Sequence, residues 1–319
     1  MKEIYKDSTY SIYIIEPNGN GFYFPYIMCI PSNLQDGDTL FVETNNEENP
    51  NELNNSAKFT TKNILNLMNG SSNKSPIIVP ILPTNGINGR PYFQQLSHEC
   101  FKDSLPATHQ RIDLQLVSVI NDAKNKIFKI TNKKLADKIF MHGYSASGVF
   151  VQRFALAQPE LIGELCIGGA IGSIPMPMSE YNGITLDYPA GVNDYQEIFG
   201  KNFNIDAFKL IKFRYYVAEK EAERLSQTRV KEDGTPAPMH DMSYMNRSMS
   251  SKVGQNLRTA FGLDMNERCR NQLKVYKQMG IDISAHEPYK GIMHDEIRSL
   301  AFKYIDDCLN EIINNPIMQ

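Results

Sequence analysis

The sequence predicts an α/β protein built on a mostly parallel central sheet, with antiparallel strands at the N-terminal end and helices on both faces. Three observations predict it. From Ile77 onward, apolar strand-like runs alternate with helical patterns, the order that implies a parallel sheet. Before Ile77, three short strand-like runs follow one another with turn residues between them, which predicts antiparallel neighbours. Runs such as Ile77-Ile78-Val79-Pro80-Ile81-Leu82 are apolar without alternation, as expected of strands covered on both faces. With 319 residues, 41% of them hydrophobic, the chain suffices for a large buried core, read here as one domain over 1–319.

In chain order, Tyr10 to Ile15 alternates and ends at the turn Glu16-Pro17-Asn18-Gly19. Phe22 to Ile30 is aromatic and β-branched and stops at Pro31-Ser32-Asn33. Thr39 to Val42 is the third run. Glu43 to Asn55 is rich in Asn and Glu and reads as a polar loop. Thr60 to Met68 carries Ile64, Leu67 and Met68 at helical spacing. The strand at Ile77 contains Pro80, which has no N–H for a sheet ladder, and a loop over 83–91 follows it. Thr108 is placed to cap the next helix, in which Ile112, Leu116, Val119, Ile120, Ala123 and Ile127 form one face. Ile139-Phe140-Met141 is the next strand, followed by a tight turn and a helix that ends near Gln158-Pro159. Leu165 to Ala170 is another buried strand, and Ile211 to Ala218 a further one.

Two segments depart from this alternation. Residues 171–204 are irregular and rich in Pro, Gly and Tyr, and a loop that long inside a domain usually covers something or works. Residues 230–262 are polar with Met239, Met242, Met245 and Met249. They read either as a lid or as helical turns packing methionines on the body. Tyr181, Tyr188, Tyr195 and the methionine cluster are candidates to line a pocket. Glu267 to Met279 is helical and Gly280 stops it. Ile281 to Glu287 alternates like a strand. A last helix from Asp295 to about Ile313 carries an apolar stripe that includes Ile297, Leu300, Ala301, Tyr304, Ile305, Cys308 and Leu309.

A net charge of −3 gives no electrostatic capture of nucleic acid or of an anionic membrane. Five dispersed cysteines without a C-x-x-C pair read as reduced thiols. The N-terminus has no apolar run, which predicts no signal peptide and a cytoplasmic protein. The longest apolar run is too short to span a bilayer. Gly168-Gly169-Ala170-Ile171-Gly172-Ser173 lacks phosphate-loop spacing and a following lysine. His286, His294, Asp295 and Glu296 match no metal-binding pattern, so neither metal nor cofactor is expected.

The chemistry points to His142-Gly143-Tyr144-Ser145-Ala146-Ser147-Gly148. A strand, a tight turn tipped by serine and a helix make the layout of a nucleophile elbow. The turn needs small residues two before and two after the serine, and Gly143 and Ser147 meet that need. Ser145 is the candidate nucleophile. Ser147 is the weaker one, because Val149 would stand where strand and helix crowd. Such a serine needs a base. His294 lies between the last strand and the last helix, where a loop projects over the carboxyl edge of the sheet, whereas His142 is expected beneath the turn. The base needs a carboxylate to orient it. Glu221 follows the strand at Ile211 by a short turn, with Glu219 as its rival. The order Ser145, Glu221, His294 is the one this arrangement uses.

On Gly143-Tyr144-Ser145-Ala146-Ser147-Gly148, Val217-Ala218-Glu219-Lys220-Glu221 and Lys290-Gly291-Ile292-Met293-His294, the chain resembles the α/β-hydrolase superfamily, and within it the esterase, lipase and polyester-depolymerase-like members. The resemblance runs from Ile77 to the last helix. Many members carry aspartate where Glu221 stands and glycine where Ser147 stands. The resemblance implies an α/β-hydrolase fold with an oxyanion hole made by the Ala146 N–H and a donor in the loop after Leu82. Pro83 has no N–H, so Thr84 is the first such donor and Asn85 the next; the frequent His-Gly of this loop is absent. It also implies two-step acyl transfer through an acyl-enzyme on Ser145, on an ester of a small to medium substrate. A serine peptidase or amidase, or a non-catalytic binding protein of the same fold, is the alternative.

Overall fold

The computed structural model describes residues 1–17, 19, 21–44, 75–82, 96–102, 104–220, 228–230, 236–238, 249–286 and 288–314. Its centre is a 9-stranded sheet. The strands are β1 (Lys2–Lys6), β2 (Tyr10–Ile15), β3 (Tyr26–Pro31), β4 (Leu40–Glu43), β5 (Ile77–Pro80), β6 (Ile139–Tyr144), β7 (Ile162–Gly168), β8 (Lys212–Tyr216) and β9 (Ile283–Ala285). Their spatial order is β1-β2-β3-β5-β4-β6-β7-β8-β9. β1, β2, β3 and β5 pair antiparallel in succession, and every pairing from β5 through β9 is parallel. This is the expected sheet, mostly parallel with antiparallel N-terminal strands.

Two of the N-terminal expectations change. The third run, β4, does not join the antiparallel set: it inserts between β5 and β6 and is parallel to both. Phe22 and Phe24 are buried but precede the strand, which starts at Tyr26. β1 is an additional edge strand, largely exposed and charged, which suits an edge that must not recruit another strand. Pro80 is the last residue of β5, beyond the β4 pairing that ends at Ile78, so the interior ladder keeps its donors.

Alternate residues of each strand feed cores on opposite faces. Met28, Ile78, Ile139 and Met141 pack on one face with α1 (Ile112–Thr131), α2 (Ala146–Ala157), α3 (Ser251–Phe261) and α4 (Met265–Gln278). Ile27, Cys29, Ile77, Phe41 and Phe140 pack on the other with Ile297, Ala301, Ile305, Cys308 and Leu309. The last four of these are Ala301 and residues of α5 (Phe302–Asn314), which follows a short helical turn, Ile297–Leu300. The break at Ala301 leaves Leu300 exposed, outside the predicted stripe.

α1 begins later than predicted. Arg111 stands at its N-cap in a left-handed conformation, and the Thr108 hydroxyl is bonded to His109 Nδ1 instead. α3 replaces the second half of the predicted irregular segment 230–262. Ser250 caps it through the Val253 N–H, and Val253, Leu257 and Phe261 bury its inner face. Met249 is buried beside it, whereas Met239, Met242 and Met245, like the predicted helix at Thr60 to Met68, lie outside the described residues. Asp264 caps α4 through the Glu267 N–H. α4 then grips the segment after β7. Arg268 donates to the Gly172, Gly262 and Leu263 carbonyls, Gln272 to Ile174, and Tyr276 to Pro175.

That segment, 171–204, wraps the body with a buried start, 171–177, and further buried side chains among exposed turns. Tyr188 and Tyr195 are core residues, donating to the Leu96 and Ala157 carbonyls. Tyr181 stacks on Phe261 and borders a cavity of about 230 Å³ with Lys274 and Asn271, on the α3–α4 side of the molecule. No helix among the described residues is long and apolar enough to cross a membrane.

Candidate active site

The parallel strands bring their carboxyl ends to one edge, and Ser145, Ala146 and His294 gather there. Ser145 links β6 to α2 at φ 58° and ψ −118°. A non-glycine residue at positive φ costs on the order of 1–3 kcal/mol, and surrounding structure must hold it. Here the Ser145 N–H donates to the Gly168 carbonyl of β7 at 2.9 Å, and the Val149 N–H donates back to the Ser145 carbonyl at 3.1 Å. The small residues are required by contact. A Cβ on Gly143 would sit 2.3 Å from the Ser147 carbonyl oxygen, and one on Gly148 would sit 2.7 Å from Ala170 Cβ.

Ser147 explains its own presence. Its Oγ accepts from the Tyr144 N–H and donates to the Tyr144 carbonyl, both at 2.9 Å. The hydroxyl thus ties the first turn of α2 to the end of β6, a bond that glycine lacks.

His294 opens a short 3₁₀ turn just before the last helix, and it is 4% exposed. Its Nε2 lies 2.9 Å from Ser145 Oγ, within reach for the hydroxyl to donate to the ring. The loop carrying it is pinned to the end of β8. Ala218 bridges to Tyr289, and the Glu219 and Lys220 N–H groups donate to the Tyr289 and Ile292 carbonyls. The Glu219 carboxylate accepts from the Gly291 N–H at 2.7 Å, so it serves the turn that presents the histidine.

Ala146 opens α2, and a helix start leaves its first N–H groups without intrahelical partners. Of the five predicted site residues, Ser145, Ala146 and His294 are described and adjacent; Glu221 and Thr84 lie outside the described residues. Among the described residues no cluster of His, Cys, Asp or Glu is arranged to hold a metal ion.

Several neighbours were not anticipated. Tyr144 stacks on His294 with ring centroids 5.0 Å apart, and its hydroxyl donates to the His294 carbonyl. Gly169, at φ +55°, flanks the same groups: a Cβ there would lie 2.9 Å from His294 Cε1 and 3.1 Å from Tyr144 Cε2. Beneath Tyr144 is Tyr216, the last residue of β8. His142 lies below the turn as expected, but not idle. The Tyr216 hydroxyl is 2.8 Å from its Nε2, and Glu43 Oε2 is 2.5 Å from its Nδ1. Glu43 is therefore the buried end of β4 rather than the start of a polar loop, because a histidine from the neighbouring strand pairs with it. One sequence signal was a histidine in the strand leading to the turn.

No family model matches the chain, and no curated protein matches it. Solved structures do resemble it. A thermostable esterase aligns with TM-score 0.48 and 12% identity over 95% of this chain and 63% of its own, so the chain spans less than two thirds of that protein. A ferulic acid esterase aligns with TM-score 0.49 and 11% identity over 96% of this chain and 99% of its own. A fluorophosphonate-binding serine hydrolase of Staphylococcus aureus aligns with TM-score 0.47 and 11% identity over 100% of both chains.

Proposed function

We propose that this chain is a serine hydrolase that cleaves a carboxylic ester of a small to medium substrate through an acyl-enzyme on Ser145. One observation carries the reading: a serine at positive φ on a strand-to-helix turn, with a buried histidine nitrogen 2.9 Å from its hydroxyl oxygen. A serine hydroxyl alone is a weak nucleophile, and that contact is what activates it.

His294 Nε2 takes the hydroxyl proton as Ser145 Oγ attacks the ester carbonyl carbon. The carbonyl π electrons move to oxygen, and the resulting oxyanion accepts from the Ala146 N–H and, in this reading, the Thr84 N–H. Collapse of the tetrahedral species expels the alkoxide, which His294 protonates. Water then attacks the acyl carbon, giving its proton to His294, and the second collapse returns that proton to Ser145 with release of the carboxylic acid. Glu221 is the proposed acid that orients His294. The engagement of Glu219 with the Gly291 amide supports this choice over Glu219. No step uses a metal or cofactor.

The test is labelling by a fluorophosphonate probe with peptide mapping, alongside hydrolysis of p-nitrophenyl acetate and butyrate. Label on Ser145, lost in Ser145→Ala together with turnover, is expected. Absence of both label and hydrolysis in the wild type sinks the proposal. Faster turnover of matched p-nitroanilides than of esters would move the reading to a peptidase or amidase. Glu221→Gln is expected to cut turnover by orders of magnitude and Glu219→Gln only mildly; the reverse result reassigns the acid.

A further inference from the structure

Four aromatic rings, two from β6, one from β8 and one from the loop after β9, stand in a row beneath the turn. The His294 and Tyr144 rings are 5.0 Å apart, Tyr144 and Tyr216 are 6.4 Å apart at an interplanar angle of 9°, and Tyr216 and His142 are 6.0 Å apart at 11°. The far end is tied by charge. A carboxylate on Nδ1 holds the His142 proton there, leaving Nε2 to accept from the Tyr216 hydroxyl, and the carboxylate is Glu43. Glu43, His142 and Tyr216 are all buried. Burying such groups costs several kcal/mol in desolvation, and apolar residues of similar volume would give comparable stability. A hydrogen-bonded chain placed under a reactive centre therefore calls for a role beyond packing.

The near end touches His294 twice. The Tyr144 ring lies against the imidazole face, and the Tyr144 hydroxyl donates to the backbone carbonyl of the same residue. Gly169 closes the space on a further side of both rings. We propose that Tyr144 is a positioning residue for His294, and that Tyr216, held by the Glu43–His142 pair, is the rigid support behind it. The inference rests on the serine hydrolase reading above. The imidazole must stay at hydrogen-bond distance from Ser145 Oγ while it is protonated twice and deprotonated twice per turnover. A tyrosine bonded to its own backbone and stacked on its face limits both translation and tilt. A displacement of about 1 Å at a reacting group can cost on the order of 100-fold in rate.

The experiment compares Tyr144→Phe, Tyr144→Leu and Glu43→Gln with the wild type, with active sites counted by fluorophosphonate titration. Tyr144→Phe keeps the ring and loses the bond to the His294 carbonyl; Tyr144→Leu loses both; Glu43→Gln keeps the volume and removes the charge. Expected are kcat losses of about 10-fold for Tyr144→Phe and about 100-fold for Tyr144→Leu, with KM within about twofold of the wild type. Glu43→Gln should fall with Tyr144→Phe, and second-order labelling rates should fall in parallel. A structural role alone would lower Tm but leave kcat per titrated site at the wild-type value, and that result overturns the proposal. So does a rise in KM with kcat unchanged, which would make Tyr144 a substrate contact. If the wild type takes no label at Ser145, the hydrolase reading itself has failed; if it labels normally and the Tyr144 variants match it, only the positioning role has.

Discussion

Glu164 offers the sharpest stability test, because nothing about it depends on the proposed chemistry. It lies in β7, opposite Phe140, just past a register shift in the β6–β7 pairing that places a carboxylate fully inside. Neither of its oxygens has a hydrogen-bond partner among the described residues. Arg214 Nε is 3.6 Å away, and the Arg214 guanidinium is committed to Asp282 at 2.9 and 3.2 Å. Burial therefore dominates and pushes the Glu164 carboxyl up from 4.5 to about 7; Arg214 and Lys212 oppose this weakly, and Glu311 and Asp282 add to it. The unfolded chain ionises this group near the ordinary glutamate value, the folded protein only near pH 7. Between the two the folded state alone keeps the proton, so stability is highest on the acid side and falls as pH rises through 7.

At about 1.4 kcal/mol per pH unit, a rise from 4.5 to about 7 makes the ionised form of Glu164 cost roughly 3 kcal/mol in alkaline solution. Glu164→Gln removes the ionisation while keeping the shape. An unfolding entropy of ~2.1 cal/mol/K per residue over 319 residues converts roughly 3 kcal/mol into about 4–5 °C. Thermal unfolding followed by circular dichroism at a matched scan rate should give equal or slightly lower Tm for the variant at about pH 5, and a Tm higher by about 4 °C at about pH 8.5. A Tm difference that stays constant between those two pH values refutes the reasoning.

Three further outcomes are expected. Gly169→Ala would place a Cβ 2.9 Å from His294 Cε1 at a backbone φ of +55°, so it should lower kcat by about 100-fold or more and cost about 1–2 kcal/mol of stability, read by active-site titration and urea unfolding. Ser147→Ala removes both bonds to Tyr144 without touching Ser145 Oγ, and should cost about 1–3 kcal/mol in urea unfolding while fluorophosphonate still labels Ser145. Arg268→Met strips the Gly172, Gly262 and Leu263 carbonyls of their buried donor and should destabilise by about 3 kcal/mol or more, seen as a drop in the urea midpoint; a change under about 1 kcal/mol would mean that the carbonyls are satisfied some other way.

The parts of the fold that were legible are those in which burial leaves a period. α1 and α4 show apolar residues at helical spacing, and β3 and β5 show runs without alternation, because both faces of the sheet are covered. β1 was not legible because it buries neither face and so carries no hydrophobic period. The insertion of β4 beside β6 was not legible either, since a four-residue apolar run says that it is buried and nothing about its neighbours. α3 is a different case. Ser250, Val253, Leu257, Phe261 and Gly262 form a complete cap, stripe and stop. The polar, methionine-rich stretch before them hides this pattern.

In the site, legibility follows sequence distance. Ser145 declares itself within seven residues, because a tight strand-to-helix turn forces Gly143 and Gly148 to stand beside it. His294 is legible only as the answer to a requirement set by Ser145. Glu43 and His142 are 99 residues apart, and nothing local pairs them. Yet one mark of the buried stack was in plain sight. Gly168-Gly169 fails as a phosphate loop, and a glycine at the end of a buried strand then needs another reason. In the register, Gly168 lies between Tyr144 of β6 and Tyr216 of β8. A Cβ at Gly168 would fall 2.0 Å from Tyr216 Cζ, so only glycine lets that ring cross β7 towards Tyr144 and His142. Gly169 makes the matching space for His294. The two glycines are thus the sequence trace of the ring stack: they spare no room for a phosphate and leave room for a histidine and two tyrosines to meet beneath a serine.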